Sequence, residues 1–420
     1  MRRQKTVVCS VEGPRPRYTY QPVSFDTGAD LSLVLEGETG PHGISPTAAD
    51  LIDFAAAVYE IERQVRRQNT NPPERFKLRM QLRNPSAWTD EATKAARNIL
   101  RLLGNATWDL DLRGGLRAPV PKHGSESSRT IKQVVLFSGG MDSTCGLATI
   151  QQQTAITQPV AFYTRQKSLQ KMIATNLGYD NVNQWARRWS GKPGPGHSFF
   201  YRSFFFLALG AAIAESWRAR VVLQFENGVL ATAIPPGPAW LMTHHAHPQL
   251  HSFAGTLFSA LFGGDWKVQN PFLTLTKRGC VQAASKAIGK RKLEEILSKT
   301  ESCWYQWSNR ARGGKKKPGI ACGICIPCIV RRSAFQNDPY QFDLTKDRTR
   351  NDERRGENFR SYYLFLDSVL RSKKSPAKFY GLLPPAGREL VDDGSWLSLV
   401  QLHELFLSFG REFMDTFNRS

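Results

Sequence analysis

Two stretches of this 420-residue chain pair reactive residue types with a spacing that brings them together. The first is Ser138-Gly139-Gly140-Met141-Asp142-Ser143, directly after the apolar run Val134-Val135-Leu136-Phe137. Four consecutive apolar residues predict a strand covered on both faces, since a half-exposed strand would alternate. The glycines remove bulk where the chain must turn, and Asp142, Ser143 and Thr144 can accept hydrogen bonds at the start of a helix. Strand, turn and helix start together aim backbone N–H groups at one point, where the helix dipole also favours negative charge. The chemistry predicted is phosphate binding. It is not of the Walker type, because no Gly-Lys-Ser/Thr follows and no Gly-x-Gly-x-x-Gly occurs.

The second stretch is Cys322-Gly323-Ile324-Cys325-Ile326-Pro327-Cys328, with Cys303 upstream. Four thiolates suit a closed tetrahedral zinc site, which leaves no position for water and is therefore structural. An iron–sulfur cluster uses similar spacing. The remaining cysteines are Cys9, Cys145 and Cys280, and an odd total of seven argues against a disulfide framework.

The bulk numbers set bounds on the rest. A chain of 420 residues predicts two or three domains. Mean hydropathy of −0.39, no run of about 18 apolar residues and no apolar signal core predict a soluble, cytoplasmic protein without membrane attachment. The net charge of +21 suits a polyanionic ligand, an acidic partner or nucleic acid. Its basic residues are spread along the chain, from Arg15 and Arg17 through Arg63–Arg67 and Arg310–Lys317 to Arg348–Arg355, so charge alone does not choose among these.

The elements that must position these residues follow from periodicity. Residues 1–125 predict a small α+β accessory domain. Its helix is capped at Thr47, with Leu51, Phe54, Val58, Ile61 and Val65 on one face and Pro72-Pro73 at its end. Alternating strands follow at Phe76–Leu82 and Trp108–Leu112, around a helix from Asp90 to Leu103. Gly114–Arg129 reads as a linker. Residues 126–340 alternate strands with helices: Val160–Tyr163, a helix from Phe204 to Arg218 that is apolar almost all round, and Val221–Phe225 ending at Glu226-Asn227. That order predicts an α/β fold with a doubly wound parallel sheet, in which Ser138–Ser143, Tyr163 and Glu226-Asn227 share the carboxyl edge. Residues 341–420 predict a helical region with a broad apolar stripe suited to core packing.

The hexapeptide Ser138–Ser143 resembles the PP-loop of the ATP pyrophosphatases, whose members share an adenine-nucleotide alpha hydrolase-like fold and cleave ATP between the α- and β-phosphates. With the cysteine pattern, the resemblance narrows to the QueC-like enzymes. Arg202-Ser203 before an apolar helix, Thr276-Lys277, Thr300 to Tyr305 with Cys303, and Cys322 to Arg331 each resemble a QueC string. The resemblance covers roughly residues 130–340, and it departs where Leu230–Pro236 replaces an acidic stretch. A QueC-like core in a longer chain is similar to the QueC-like proteins of bacterial anti-phage operons, the QatC group of the Qat system and its relatives in CBASS operons.

That resemblance implies an AMP-forming, C–N bond-forming ligase. ATP would adenylate a 7-deazaguanine carboxylate, and an amine, the N-terminal amine of a partner protein from the same operon, would then form the amide. ATP would lie on Phe137, Ser138, Gly139, Gly140, Met141, Asp142, Ser143 and Tyr163, with Asp142 holding Mg²⁺ or orienting the loop. Arg202 and Lys277 would neutralise charge during attack, and Glu226 and Asn227 would read the purine. Cys303, Cys322, Cys325 and Cys328 would hold Zn²⁺, since adenylation needs no electron carrier. The alternatives are a 7-cyano-7-deazaguanine synthase using ammonia, a tRNA-modifying PP-loop enzyme with catalytic cysteines, and a nucleotide-sensing scaffold. The run His244, His245, His247 and His251 receives no role.

Overall fold

The structure, a computed structural model, describes residues 9–10, 20–25, 30–64, 75–104, 106–115, 129–163, 166–189, 200–234, 243–305, 310–311, 314–315, 319–335, 338–373, 375–392 and 396–417. Arg15, Arg17, Val65, Pro72-Pro73, Pro235-Pro236 and most of the 114–129 linker lie outside the described residues.

In chain order the strands are β1 Cys9–Ser10, β2 Tyr20–Phe25, β3 Asp30–Glu36, β4 Arg75–Leu82, β5 Thr107–Gly114, β6 Gln133–Leu136, β7 Thr157–Tyr163, β8 Asn183–Trp189, β9 Val221–Leu223, β10 Lys267–Gln269, β11 Arg310–Ala311 and β12 Gly314–Lys315. The helices up to residue 262 are α1 Pro46–Gln64, α2 Asp90–Gly104, α3 Met141–Thr149, α4 Lys167–Asn176, α5 Arg202–Ser216, α6 Gly228–Ala231 and α7 Pro248–Phe262. Beyond them come α8 Lys277–Ile288, α9 Lys290–Leu297, α10 Ile326–Ala334, α11 Asp347–Arg350, α12 Glu357–Arg371, α13 Pro376–Leu382, α14 Pro385–Asp392 and α15 Leu399–Phe417.

Packing divides the chain into two compact units, and the division falls within the segment 126–340. One comprises residues 1–138, 152–224 and 243–270, and the other residues 139–151, 225–242 and 271–420. The first unit holds a sheet in the order β1-β2-β3-β8-β7-β6-β9-β10. Strands β8 through β10 pair in parallel, while β1, β2 and β3 add antiparallel beyond β8. The sheet is therefore mixed rather than wholly parallel, because strands from the N-terminal segment extend the edge that β8 would otherwise leave unpaired. Successive strands run outward from β6 to β8, then the order reverses across β6 to β9, so the topological switch lies between β6 and β9. In open sheets ligands bind beyond the carboxyl ends at such a point. A separate parallel pair, β4 and β5, buries Phe76, Leu78, Met80 and Leu82 on the alternating pattern expected of it.

Helix α5 is buried on almost every side and packs against β6, β7 and β9. Gly210 permits this, since a Cβ there would sit 2.6 Å from Leu136 Cδ2. Helix α1 is capped by Ser45, whose Oγ accepts the Ala48 N–H at 3.1 Å, rather than by Thr47. The Thr47 hydroxyl instead accepts from Asn84 at 2.7 Å. Strand β9 stops at Leu223, two residues short of the expected Phe225, which stacks edge-on to Phe272 in the second unit.

The second unit is mostly helical. Its core joins the cysteine-rich turn to α12 through α15, and the apolar stripe of α15 (Leu402, Leu405, Phe406, Phe409, Phe413, Phe417) is buried in it. No helix among the described residues is long and apolar enough to cross a membrane.

Candidate active site

The loop after β6 is built by local backbone conformation. Phe137 N–H donates to Val160 O at 2.7 Å, extending the strand pairing by one residue. Gly139 takes φ +79°, which a side chain would resist, and Gly140 is extended at φ −80° and ψ 170°. Gly140 is also the residue before α3 and brings no side-chain cap to it. Ser143 Oγ turns back to donate to Gly140 O at 3.2 Å, beside the Thr144 N–H bond to the same oxygen at 3.0 Å. A helix that opens without a side-chain cap suits an anion on its first N–H groups.

In the first turn of α3, Asp142 meets residues from two other segments of the second unit. Lys277 Nζ lies 2.5 Å from Asp142 Oδ2, and their side chains are 2% and 10% exposed, so access to the pair is from the Asp142 side. Lys277 opens α8 behind Thr276, whose Oγ1 caps the helix by accepting the Gly279 N–H at 3.0 Å. Asn227 Nδ2 donates to Glu226 Oε1 at 2.7 Å and more weakly to Asp142 Oδ1 at 3.4 Å. Asn227 Oδ1 accepts from Leu230 N at 3.3 Å, capping α6.

Two carboxyl groups here face one ammonium in a buried setting. Burial first, and Glu226 second, push Asp142 up to about 7 against the pull of Lys277. For Lys277 burial works the other way, yet Asp142 and Glu226 outweigh it and hold the ammonium above its ordinary value. The cluster thus sets two acids against one base. Its oxygen donors are hard, the kind that suits Mg²⁺ beside a nucleotide.

Of the residues expected at the site, the structure brings together Asp142, Glu226, Asn227 and Lys277. Gly139, Gly140, Met141 and Ser143 belong to the same unit, while Phe137, Ser138, Tyr163 and Arg202 belong to the other. Phe137 is buried, and Ser138 O accepts from Gln170 Nε2 at 3.1 Å. The Tyr163 backbone ends β7 opposite Ala186. Arg202 is exposed at the start of α5, its guanidinium 5.8 Å from the Phe206 ring centroid. Cys145 and Cys280 are buried, and desolvation followed by the Asp142 charge pushes both thiols well up, away from the thiolate.

The cysteine cluster closes as its spacing implies. The sulfurs of Cys303, Cys322, Cys325 and Cys328 all lie within 4.8 Å of one another, and those of Cys322 and Cys328 are 3.9 Å apart. Zinc bonds of about 2.3 Å in a tetrahedron require sulfur separations of about 3.8 Å. Main-chain N–H groups of Tyr305 and Cys322 donate to Cys303 Sγ, both at 3.3 Å, and that of Cys325 to Cys322 Sγ at 3.4 Å. Such donors stabilise thiolates, and the four residues fit a structural zinc ion. Arg331 locks the turn by bonding Asp338, Thr300 Oγ1 at 2.8 Å and Leu297 O at 2.9 Å.

The histidine run lies in the first unit and scaffolds a loop. His247 Nδ1 caps α7 by accepting the Gln249 N–H at 3.3 Å, and His251 Nε2 bonds Gln224 Oε1 at 3.0 Å. Among the described residues only the four cysteines bring together three or more possible metal-ligating side chains.

No protein-family model matches the chain. It is similar to the 7-cyano-7-deazaguanine synthase of Caulobacter sp. strain K31, at 24% identity over 237 residues, covering 50% of this chain and 91% of the relative. Against the enzyme of that name from Hydrogenovibrio crunogenus the identity is 25% over 232 residues, covering 49% and 91%. That from Caulobacter vibrioides is 23% identical over 228 residues, covering 48% and 91%. The similarity thus spans about half of this chain and about nine tenths of each relative.

Proposed function

We propose that the chain is a cytoplasmic QueC-like ligase that adenylates a 7-deazaguanine carboxylate with ATP and passes the acyl group to an amine. The observation that carries this is the buried contact of Lys277 with Asp142, flanked by Glu226 and Asn227. The similarity to 7-cyano-7-deazaguanine synthases supports the substrate class.

In this reading residues 126–340 form the catalytic PP-loop module, with 1–125 and 341–420 added to it. The main-chain amides of Gly139 and Gly140, with Ser138 and Ser143, bind the phosphates, and Phe137, Met141 and Tyr163 border the adenine. Asp142 would hold Mg²⁺, which supplies charge neutralisation at the phosphates. The carboxylate oxygen attacks the α-phosphorus, and the bond to pyrophosphate breaks. Lys277 stabilises the charge developing there, a role in which a preorganised cation counts most. The amine nitrogen then attacks the acyl carbon, and AMP leaves with the C–O electron pair. An α-amino group has a pKa near ~7.7–8.0, so it is available as the free base without a strong base in the protein.

The acceptor is the N-terminal amine of a partner protein of the same anti-phage operon. Where the QueC string is acidic, this chain buries Leu230, Ala231, Ala233 and Ile234, which favours an amine other than ammonia. The synthase reading remains the second one, carried by the names of the relatives. The raised, buried thiols of Cys145 and Cys280 disfavour tRNA thiolation.

AMP release from ATP and 7-carboxy-7-deazaguanine tests the first step. It is expected to vanish in Asp142→Ala and Ser138→Ala, and retained release in either removes the phosphate-loop assignment. Intact mass spectrometry of operon partners after incubation tests the second step. Turnover to nitrile on ammonium alone would favour the synthase.

A further inference from the structure

The C-terminal helix α15 lies outside the QueC-like strings, yet it touches both segments that carry the reacting cluster. Thr276 Oγ1 donates to Glu412 Oε1 at 2.8 Å while accepting the Gly279 N–H, so both functions of that hydroxyl are used. Two residues on, Arg278 Nε and Nη2 donate to Ser333 O at 2.9 and 2.7 Å. Arg278 also reaches Thr416 Oγ1 at 3.3 Å, Asp415 at 3.4 Å and Glu412 O at 3.5 Å. Ser333 closes α10, the helix that starts behind Cys325 and carries Cys328. The residues on either side of Lys277 are thus tied to α15 and to the cysteine turn, while Lys277 itself points at Asp142.

The other segment is pinned as well. A Cβ on Gly228 would sit 2.0 Å from Leu273 O and 2.7 Å from Leu405 Cδ2 of α15. Gly228 N–H donates to Leu275 O at 2.8 Å, which joins the Glu226-Asn227 segment to the one bearing Thr276. The fold also accepts a cost at this place: Glu412 Oε2 is buried without a hydrogen-bond partner among the described residues. A buried polar atom left this way is expensive, and such costs persist where a site needs them.

We propose that α15 is a brace for the reacting cluster, with Glu412 and Arg278 as positioning residues that fix Lys277 Nζ against Asp142. The inference rests on the reading of Lys277 as the cation of the adenylation site. Zinc in the cysteine turn would then act at a distance, because α10 presents the carbonyl that Arg278 grips.

The test is a double-mutant cycle on AMP formation, with folded fraction and zinc content measured for every variant. Glu412→Ala and Arg278→Gln are expected to lower kcat roughly 10- to 100-fold, the scale of a misplacement near 1 Å, with KM for ATP little changed. Glu412→Gln keeps an acceptor for Thr276 and is expected to restore most of the rate. In a Lys277→Ala background, Glu412→Ala is expected to have no further effect, since a residue acting through Lys277 is non-additive with it. Should Glu412→Ala fail to fold, the near-isosteric Thr276→Val breaks the same bond. Wild-type kcat in Glu412→Ala or Thr276→Val, or an equal loss in the Lys277→Ala background, overturns the brace. Undiminished AMP formation in Lys277→Ala instead overturns the reading of the site itself.

Discussion

Each unit gathers two carboxyl groups around one buried basic side chain, and the two arrangements have different consequences. In the first unit, Arg83 Nη1 lies 3.0 Å from Asp50 Oδ1 and 2.7 Å from Asp53 Oδ2. The main-chain N–H groups of Arg83 and Asn84 add bonds to Asp50 at 3.0 and 2.8 Å. Burial pushes Asp50 up, but these donors hold it back. In the second unit Lys277 offers Asp142 a point charge, and the amide of Asn227 is shared between Asp142 and Glu226. The formal charges match, so the number and direction of donors decide the outcome. A guanidinium with main-chain support makes a scaffold, whereas at the site one ammonium is set against two acids.

The cysteine cluster is the limiting case, with four acids drawn together. Hydrogen bonds from its neighbours' thiols lower Cys303, while burial raises Cys325, so the chain alone does not supply four thiolates. The largest effect is therefore expected from Cys325→Ser. Elemental analysis of the purified protein should find about one zinc per chain, and none in the variant. Hydrogen exchange should show loss of protection in the core that contains Cys322, Cys325 and Cys328. Iron with visible absorbance in place of zinc would remove the structural-zinc assignment.

Exchanging the two basic residues for methionine separates scaffold from site. Arg83→Met leaves Asp50 and Asp53 uncompensated and should cost ~3–5 kcal/mol of stability. Lys277→Met should lower AMP formation by about 10²–10³-fold. Its cost in stability should be smaller, because Asp142, already pushed up to about 7, can take a proton instead. Chemical denaturation and single-turnover assays of both variants decide this. A Lys277→Met protein as destabilised as Arg83→Met would erase the distinction.

What was legible in the sequence follows from whether a signal is local. The apolar run before Ser138, the glycine turn and the thiol spacing are local, and β6, α3 and the closed cysteine cluster correspond to them. The α1 cap was misread because Ser45 and Thr47 are both good caps, and only Asn84, 37 residues away, shows why Thr47 is otherwise engaged. The mixed sheet was not legible, since pairing of β3 with β8 depends on residues more than a hundred positions apart. The strand ends placed Glu226 and Asp142 at one edge, but nothing local showed that the Asn227 amide would join the two carboxyl groups. The apolar stripe of α15 announced a core, but nothing in it announced Glu412 reaching Thr276. Long-range polar contacts leave no periodicity to read.

A third buried group avoids the charge problem by staying neutral, and it gives the smallest expected effect. Burial, then neighbouring histidines, lower both His247 and His251 to about 3. The unfolded chain binds protons on these rings below about 6.5, where the folded chain does not. Their contribution to stability is thus fully present above about 6.5 and is lost as pH falls toward 3. Thermal unfolding followed from pH 7 to 4.5 should show a falling Tm. His251→Gln, which can still donate to Gln224, should flatten that fall by a few degrees while changing Tm little at pH 7. Equal slopes in both proteins would mean that the His251 ring is already solvated in the folded chain, and that this loop does not discharge its buried bases as the comparison requires.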